Sequence, residues 1–341
     1  MLMLKNLACL AITYINDKCR PYTRDRALPT SERRTVMPLF VIRIPKRTVR
    51  VMVLISIFMG LQSIAASADM AAIREKGVIR HLGVRYARFV SGSGDGFSTD
   101  LIKGFANDLG VRYEYVETSW QSVISDLTGK TYRIVNGNVD LTGDCTVKGD
   151  IIANGLTILP WRQFLLDFST PTFPSGVWLI ARADSPLTPI QPGRSTAKDI
   201  QTVKSLLNGI SVLCMPGTCL DPVLYHLEET GANWIPLNLK MNEFAPAVIN
   251  RDAESCLLDV ADAMIALEKW PGQLKIIGPV TAAQEMGCGF RKTDADLRER
   301  FNQYLQTIRS NGRYAKLVQR YYPGIDGYFP DFFDRYDSHR D

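Results

Sequence analysis

The sequence predicts an α/β protein built from parallel sheets covered by helices, and three observations lead to that class. Short apolar strands alternate with segments whose apolar residues recur at helical spacing, the rhythm of parallel sheets packed under helices. That rhythm gives way to a Pro/Gly/Thr-rich linker after Arg182-Ala183-Asp184-Ser185-Pro186, and then restarts. The chain has 341 residues, 46% of them hydrophobic and 22% charged, enough for two domains. The composition excludes a disordered, collagen-like or polytopic membrane protein.

The first elements follow from local patterns. Met70 to Lys76 reads as a short helix stopped by Gly77, and Val78 to Val84 as a buried strand. The glycine-rich Gly92 to Gly96 lacks dinucleotide-fingerprint spacing and reads as a tight turn, with Ser98 or Thr99 expected to cap the next helix. Leu101, Ile102, Phe105, Ala106 and Leu109 share one face of that helix, and Gly110 ends it. Val111 to Val116 is the next strand, and Ser119 is expected to cap a helix running through Leu127. Gly129 to Asp150 is polar and glycine-containing, and reads as an inserted loop or hairpin.

Ile151-Ile152-Ala153 resumes a strand, and Val177 to Ala181 is another. Beyond the linker a helix at Ala197–Leu207 leads into the strand Ile210–Cys214, and Pro222 sits near the start of the following helix. Cys256 to Leu258 is a short strand before a helix at Ala261–Lys269. The last long helix is expected over Asp294 to Arg309, with Leu297, Phe301, Tyr304, Leu305 and Ile308 on one face.

The net charge of +5 is unevenly distributed. Residues 1–68 hold eleven Lys/Arg and three Asp/Glu, which leaves a balance of −3 for the remainder and no reason to expect nucleic acid. Within that basic stretch, Arg43, Lys46, Arg47 and Arg50 precede the apolar run Val51 to Leu61, and Ala66-Ser67-Ala68 follows as a small-x-small cleavage site. This is the pattern of an export signal, with translation expected to start at Met37 and cleavage after Ala68; an N-terminal anchor is the alternative. The expected cleavage site has no cysteine, so a lipoprotein is not expected. The exported part keeps Cys145, Cys214, Cys219, Cys256 and Cys288, with one disulfide possible and its pairing open. Their spacing fits no zinc site, and His81, His226 and His339 do not cluster with them.

Common catalytic signatures are absent: no HExxH, Walker loop or G-x-S-x-G elbow occurs. Three strand-to-turn junctions carry the chemistry instead. In Asn154-Gly155-Leu156-Thr157-Ile158-Leu159-Pro160-Trp161-Arg162, Pro160 suits the first turn of a helix, where backbone N–H groups attract anions, and Arg162 is placed to clamp a carboxylate. Pro216-Gly217-Thr218 lets backbone approach a ligand, and Asp259, after a strand, can accept hydrogen bonds from an ammonium group. Each has a structural alternative. Arg162 can brace Asp167, Thr157 and Thr218 can be simple caps, and Asp259 can be a helix N-cap.

On these residues the chain resembles the extracellular solute-binding proteins of family 3, the type that serves polar amino-acid ABC importers. Gly83-Val84 with Gly96-Phe97-x-x-Asp100-Leu101 resembles the family's first-lobe signature, and Gly155-x-Thr157-x-x-x-x-Arg162 with Asp167-Phe168-Ser169-x-Pro171 its most diagnostic segment. Gly287-x-Gly289-Phe290-Arg291-Lys292 and Asn311-Gly312-Arg313-Tyr314 are similar to its closing strand and helix, so the resemblance covers nearly all of 70–325. The chain departs from the pattern at the 129–150 insertion, at Asn154 and Trp161, and in the aromatic tail Tyr321–Tyr336.

The resemblance implies a type II periplasmic-binding-protein fold, two lobes joined by two hinge strands: 69–184 with 285–341, and 185–284, the chain crossing near Asp184–Pro186 and Gly278–Glu285. It implies a monomeric, periplasmic, non-enzymatic partner of an inner-membrane ABC permease, closing over a small carboxylate-bearing solute without cofactor or metal. Arg162, Thr157 and Gly155 would hold the carboxylate, Thr218 would contribute from the second lobe, and Asp259 would pair with the amino group. Trp120 would stack on the ligand, with Tyr86 and Phe89 in the first binding loop; the core is the alternative place for all three. Two other functions remain open. One is a cyclohexadienyl-dehydratase-like enzyme, for which Asp259, Glu117 or Glu228 would be the acid; the other is an accessory or sensor module of a periplasmic system.

Overall fold

Each of two sheets combines parallel strands with an antiparallel strand that arrives from the other sheet. The computed structural model describes residues 68–135, 138–237 and 241–336. The Met37 start, His339 and all of the export segment except Ala68 lie outside the described residues. The chain runs α1 (Ala68–Lys76), β1 (Val78–Gly83), α2 (Phe97–Leu109), β2 (Arg112–Glu117), α3 (Val123–Thr128), β3 (Lys130–Val135) and β4 (Asn138–Asp144). Next come β5 (Ile151–Thr157), α4 (Pro160–Leu165), β6 (Asp167–Phe168), β7 (Phe173–Ser175), β8 (Val177–Arg182), α5 (Thr196–Ser205) and β9 (Ser211–Cys214). After a 3₁₀ turn at Pro222–Tyr225 follow β10 (Asn233–Pro236), α6 (Phe244–Ile249), β11 (Ser255–Asp259), α7 (Val260–Lys269), β12 (Leu274–Pro279) and β13 (Gln284–Phe290). The chain closes with α8 (Ala295–Ser310), α9 (Arg313–Tyr321), α10 (Ile325–Tyr328) and α11 (Pro330–Tyr336).

The first sheet has the order β2-β1-β5-β13-β6, with β7 also on β13. Its β2, β1 and β5 are parallel, and β13 is antiparallel to its neighbours. The second sheet, β10-β9-β11-β8-β12, repeats the plan with β8 as the antiparallel strand. Two α/β lobes result. The chain enters the second lobe at Gly176, between β7 and β8, and returns through residues 280–283. The first crossing was expected at Asp184–Pro186, where the composition shifts. Hydrogen bonding overrides composition here: β8 pairs with β11 and β12, so Val177–Arg182 is part of the second lobe.

The helices bury the faces their periodicity marks, including Leu101, Ile102 and Phe105 of α2 and Leu297, Phe301 and Leu305 of α8. One cap differs from expectation. α2 starts at Phe97, and neither Ser98 nor Thr99 caps it. Its first N–H groups are satisfied by main chain: Phe97 donates to the Arg88 carbonyl at 2.8 Å, and Ser98 to that of Phe89 at 3.0 Å. Gly96 allows that approach, with φ at 130° and room for no Cβ, which would lie 2.4 Å from the Phe89 oxygen. Likewise α3 starts at Val123, because Ser119 and Ser122 spend their hydroxyls on the preceding turn.

His81 is a core residue, its ring bonded to the Tyr113 hydroxyl at 2.8 Å and the Ala153 carbonyl at 2.6 Å, and burial lowers its pKa to about 4. The five cysteines among the described residues are free thiols, Cys145 exposed and the others buried. Among the described residues no helix is long and apolar enough to cross a membrane. The turn at Gly96 offers a direct check. Gly96→Ala adds a side chain where backbone already sits and forces an unfavourable φ, so it should cost at least about 2 kcal/mol in urea unfolding. An unchanged midpoint would show that the loop does not hold the helix start.

Candidate functional site

The side chains that carry chemistry lie just beyond the carboxyl ends of parallel strands in both lobes, where open α/β sheets bind ligands. Tyr86 follows β1, Thr157 and Arg162 end and follow β5, Cys219 follows β9, and Asp259 ends β11. The geometry at β5 starts with a bulge. Its ladder with β13 slips between Gly287 and Gly289, so Ala153 to Gly155 stand opposite Cys288 alone. Gly155 takes φ 73°, and a Cβ there would lie 2.6 Å from the Phe89 ring.

Arg162 is 3% exposed, and its guanidinium lies 5.1 Å over the Trp161 ring. One Nη donates to the Thr157 carbonyl at 2.8 Å, the Nε has no hydrogen-bond partner among the described residues, and the Thr157 hydroxyl interacts with the Cys219 thiol. Burial pulls the guanidinium pKa down. The alternative role as a brace for Asp167 is not realised, because that carboxylate pairs with Arg298 at 3.1 Å and Lys292 at 3.6 Å. The start of α4 was expected to attract anions through its N–H groups. With six residues it is too short, and the Arg162 and Gln163 N–H groups both donate to Leu159 at 3.0 Å. Attraction for an anion therefore rests on the guanidinium.

The opposite wall is acidic. Asp259 is 2% exposed and caps α7 by accepting from the Asp262 N–H at 3.1 Å, while its second oxygen accepts the Tyr86 hydroxyl from the other lobe. Asp259 is thus both a helix cap and a cleft residue. Burial raises its pKa to about 6, and burial with the Asp259 charge raises that of Asp262 to about 7. The Tyr86 ring stacks on Phe89 at 5.9 Å and meets Trp120 edge-on at 5.4 Å, so Tyr86 reaches the cleft and Phe89 belongs to the core.

Thr218 turns inward. Its hydroxyl donates to Met215 at 2.7 Å and accepts from the Leu220 N–H at 3.0 Å, closing its own turn. The side chain this turn presents to the charged groups is Cys219, fully buried, its thiol raised to about 11 by burial and within the fields of both Asp259 and Arg162. Tyr225 donates to the Cys219 carbonyl at 2.7 Å and accepts from Gln284 of the first lobe at 3.0 Å. The inserted segment forms the hairpin β3–β4 and brings Tyr132 within 5.9 Å of Trp161. Cys219, Tyr225, Gln284, Asp262 and Tyr132 were not anticipated as site residues. Of these, only Cys219 carried a sequence signal, its place beside Gly217-Thr218.

Among the described residues no group of His, Cys, Asp or Glu has the arrangement of a metal site. A cavity of about 960 Å3 lies at the hinge, lined by Trp178, Ile190, Pro279, Gln284, Tyr328 and Phe332 among others.

Residues 146–324 match the model of the bacterial extracellular solute-binding proteins, family 3. The histidine-binding periplasmic protein of Salmonella typhimurium is 26% identical, over 79% of this chain and 95% of its own length. Membrane-bound lytic murein transglycosylase F of Desulfosudis oleivorans is also 26% identical, over 70% of this chain, which spans 46% of that relative. Among solved structures, a mutant of the arginine-binding protein ArgBP from T. maritima superposes with a TM-score of 0.58 at 25% identity, over 74% of this chain and 98% of that one.

The raised carboxyls predict a pH effect with a definite sign. Between about pH 4 and 7 the native state holds protons on Asp259 and Asp262 that the unfolded chain has released, so these groups make stability fall as pH rises. Asp259→Asn keeps the cap and the Tyr86 contact without the buried charge. Its melting temperature should match wild type near pH 4 and exceed it at pH 7.5, by the order of 2–3 kcal/mol in stability. A constant difference across that range would contradict the assignment.

Proposed function

Because the chain belongs to the bacterial extracellular solute-binding proteins of family 3, we propose that it captures one small solute carrying a carboxylate and an ammonium group, an amino acid or close relative. The observation that carries this reading is a buried guanidinium on one lobe and a buried carboxylate on the other, both close enough to act on the Cys219 thiol. Arg162 forms no ion pair among the described residues, and Asp259 is met across the cleft only by a neutral hydroxyl. Cys219 lies within the fields of both. A zwitterion matches that pattern, its carboxylate on Arg162 with the Thr157 hydroxyl, its ammonium displacing Tyr86 from Asp259. Charge-assisted hydrogen bonds of this kind are the strong ones. Trp120 and Tyr86 supply an aromatic wall, and the Gly155 bulge brings main chain close to the ligand.

Closure proceeds by rotation about the two crossings, bringing Tyr86 and Gln284 of one lobe onto Asp259 and Tyr225 of the other. The closed form presents a paired-lobe surface to an inner-membrane ABC permease. The protein works in the periplasm as a single chain and without catalysis. The name of the histidine-binding relative supports the amino-acid class. A dehydratase-like reaction draws on one observation, the Asp259 carboxyl held near pH 6, which suits a general acid. Both Asp259 oxygens are already engaged by the Asp262 N–H and the Tyr86 hydroxyl, which favours binding over proton transfer.

A thermal-shift screen of the purified chain with L-arginine, L-histidine, other amino acids, organic acids and prephenate tests the reading. A ligand at a thousandfold excess over its Kd should add about 4 kcal/mol. Arg162→Ala should abolish the shift, and an undiminished shift in that variant would rule out the carboxylate role. Turnover of prephenate would replace the carrier with an enzyme.

A further inference from the structure

We infer that the inserted hairpin β3–β4 is a fixed wall of the binding site, and that Tyr132 on it is a specificity-determining residue that shields Arg162 from water. The inference rests on the proposed role of Arg162 in holding a carboxylate. The hairpin pairs only with itself, so it contributes to neither main sheet. Its ladder shifts register between Thr131 and Tyr132, immediately before the tyrosine, and such a bulge re-aims the side chain beside it. Tyr132, Ile134, Val139 and Leu141 fall on one face by alternation and cross-strand register, and Arg133 pairs with Asp140 on the other at 3.4 Å.

Of that apolar face, Tyr132 and Val139 pack on the body of the protein, while Leu141 is 56% exposed. The tyrosine ring rests against Trp161, which is itself 8% exposed and carries the Arg162 guanidinium on its face. The guanidinium charge reaches the Tyr132 phenol, whose pKa is raised by its burial. A segment with no place in either sheet therefore buries an aromatic ring in the layer next to Arg162, a cation with no ion pair among the described residues. The effect is dielectric. An ion pair gains severalfold in strength when water is excluded from one side of it. Excluding water from Arg162 thus favours a ligand with a true carboxylate over the same ligand as its amide, because only the anion compensates the buried charge.

The test uses the full chain with Tyr132→Ala, Tyr132→Val and Tyr132→Phe. Phenylglyoxal labelling of Arg162, followed by peptide mass spectrometry, reads the shield without any ligand. The rate should rise at least tenfold in Tyr132→Ala and Tyr132→Val and stay near wild type in Tyr132→Phe. Calorimetry with L-arginine and L-argininamide, and with L-histidine and L-histidinamide, reads specificity. The preference of wild type for the acid should shrink about tenfold in the Ala and Val variants, and the Kd for the acid should become more dependent on salt. Tyr132→Phe should keep both properties. Equal labelling of Arg162 in wild type and the Ala or Val variant would overturn the proposal. So would a Phe variant that behaves like Ala, since the hydroxyl and not the ring would then be responsible. If wild type binds none of these probes, the carrier reading fails alone, and the labelling rates still decide the shield.

Discussion

The structure is organised around a guanidinium that it buries without giving it a carboxylate. A charge removed from water costs several kcal/mol unless it is paired and hydrogen-bonded. Among the described residues Arg162 has the Thr157 carbonyl and the face of Trp161, with no carboxylate, to offset that cost. Both supports depend on the β5 segment. The bulge opposite Cys288 and the positive φ of Gly155 bring Thr157 to the end of the strand, and α4 begins at Pro160 immediately after it. A buried Arg–Asp pair at this position would serve stability. An Arg held by neutral groups keeps its affinity for an anion that arrives from outside.

The second lobe solves the reciprocal problem by different means. Asp259 and Asp262 lie within one helical turn, both buried; desolvation raises both pKa values, and the Asp259 charge adds to it at Asp262. Backbone capping and a borrowed hydroxyl hold Asp259, and no lysine or arginine is paired with it among the described residues. Each lobe therefore carries a charge whose partner is neutral. The two charges have opposite signs and share the field of one thiol. Across the cleft, the partner of Asp259 among the described residues is the Tyr86 hydroxyl. A zwitterion would supply both missing partners together, which links ligand affinity to the closed arrangement.

Much of this was legible in the sequence, and the losses have physical causes. Arg162, Thr157, Gly155, Asp259, Tyr86 and Trp120 sit at junctions that hydrophobic rhythm alone marks, because a strand's end fixes where the next residues point. The inward turn of Thr218 does not show in the sequence, because its hydroxyl's partners, the Met215 carbonyl and the Leu220 N–H, are set by the fold of its own turn. The cap of α2 was misplaced because Arg88 and Phe89 are brought to it by tertiary contact, which no local pattern encodes. The lobe boundary was set too late because a composition shift marks a linker, whereas membership of a sheet is decided by pairing with strands far away in sequence. Tyr132 was invisible for a similar reason: a polar insertion reveals its length and not the surface onto which it folds.

The crossings explain why hinge and site belong together. β8 and β13 are the strands that enter each sheet from the other lobe, and each runs antiparallel to its neighbours because it arrives from the opposite side. β13 starts at the hinge with Gln284, which donates to Tyr225 of the second lobe, and its bulge shapes the β5 segment that presents Arg162. β8 starts at the hinge beneath Thr281, whose hydroxyl accepts the Val177 N–H at 2.9 Å, and pairs along β11 up to Asp259. A rotation at residues 280–283 is thus transmitted through two hydrogen-bonded ladders, one to each charged wall. Neither Arg162 nor Asp259 needs to move within its own lobe. On the proposed function, the hinge would set the distance between the two half-sites, and the ligand's length between carboxylate and ammonium would select the angle at which the lobes come to rest.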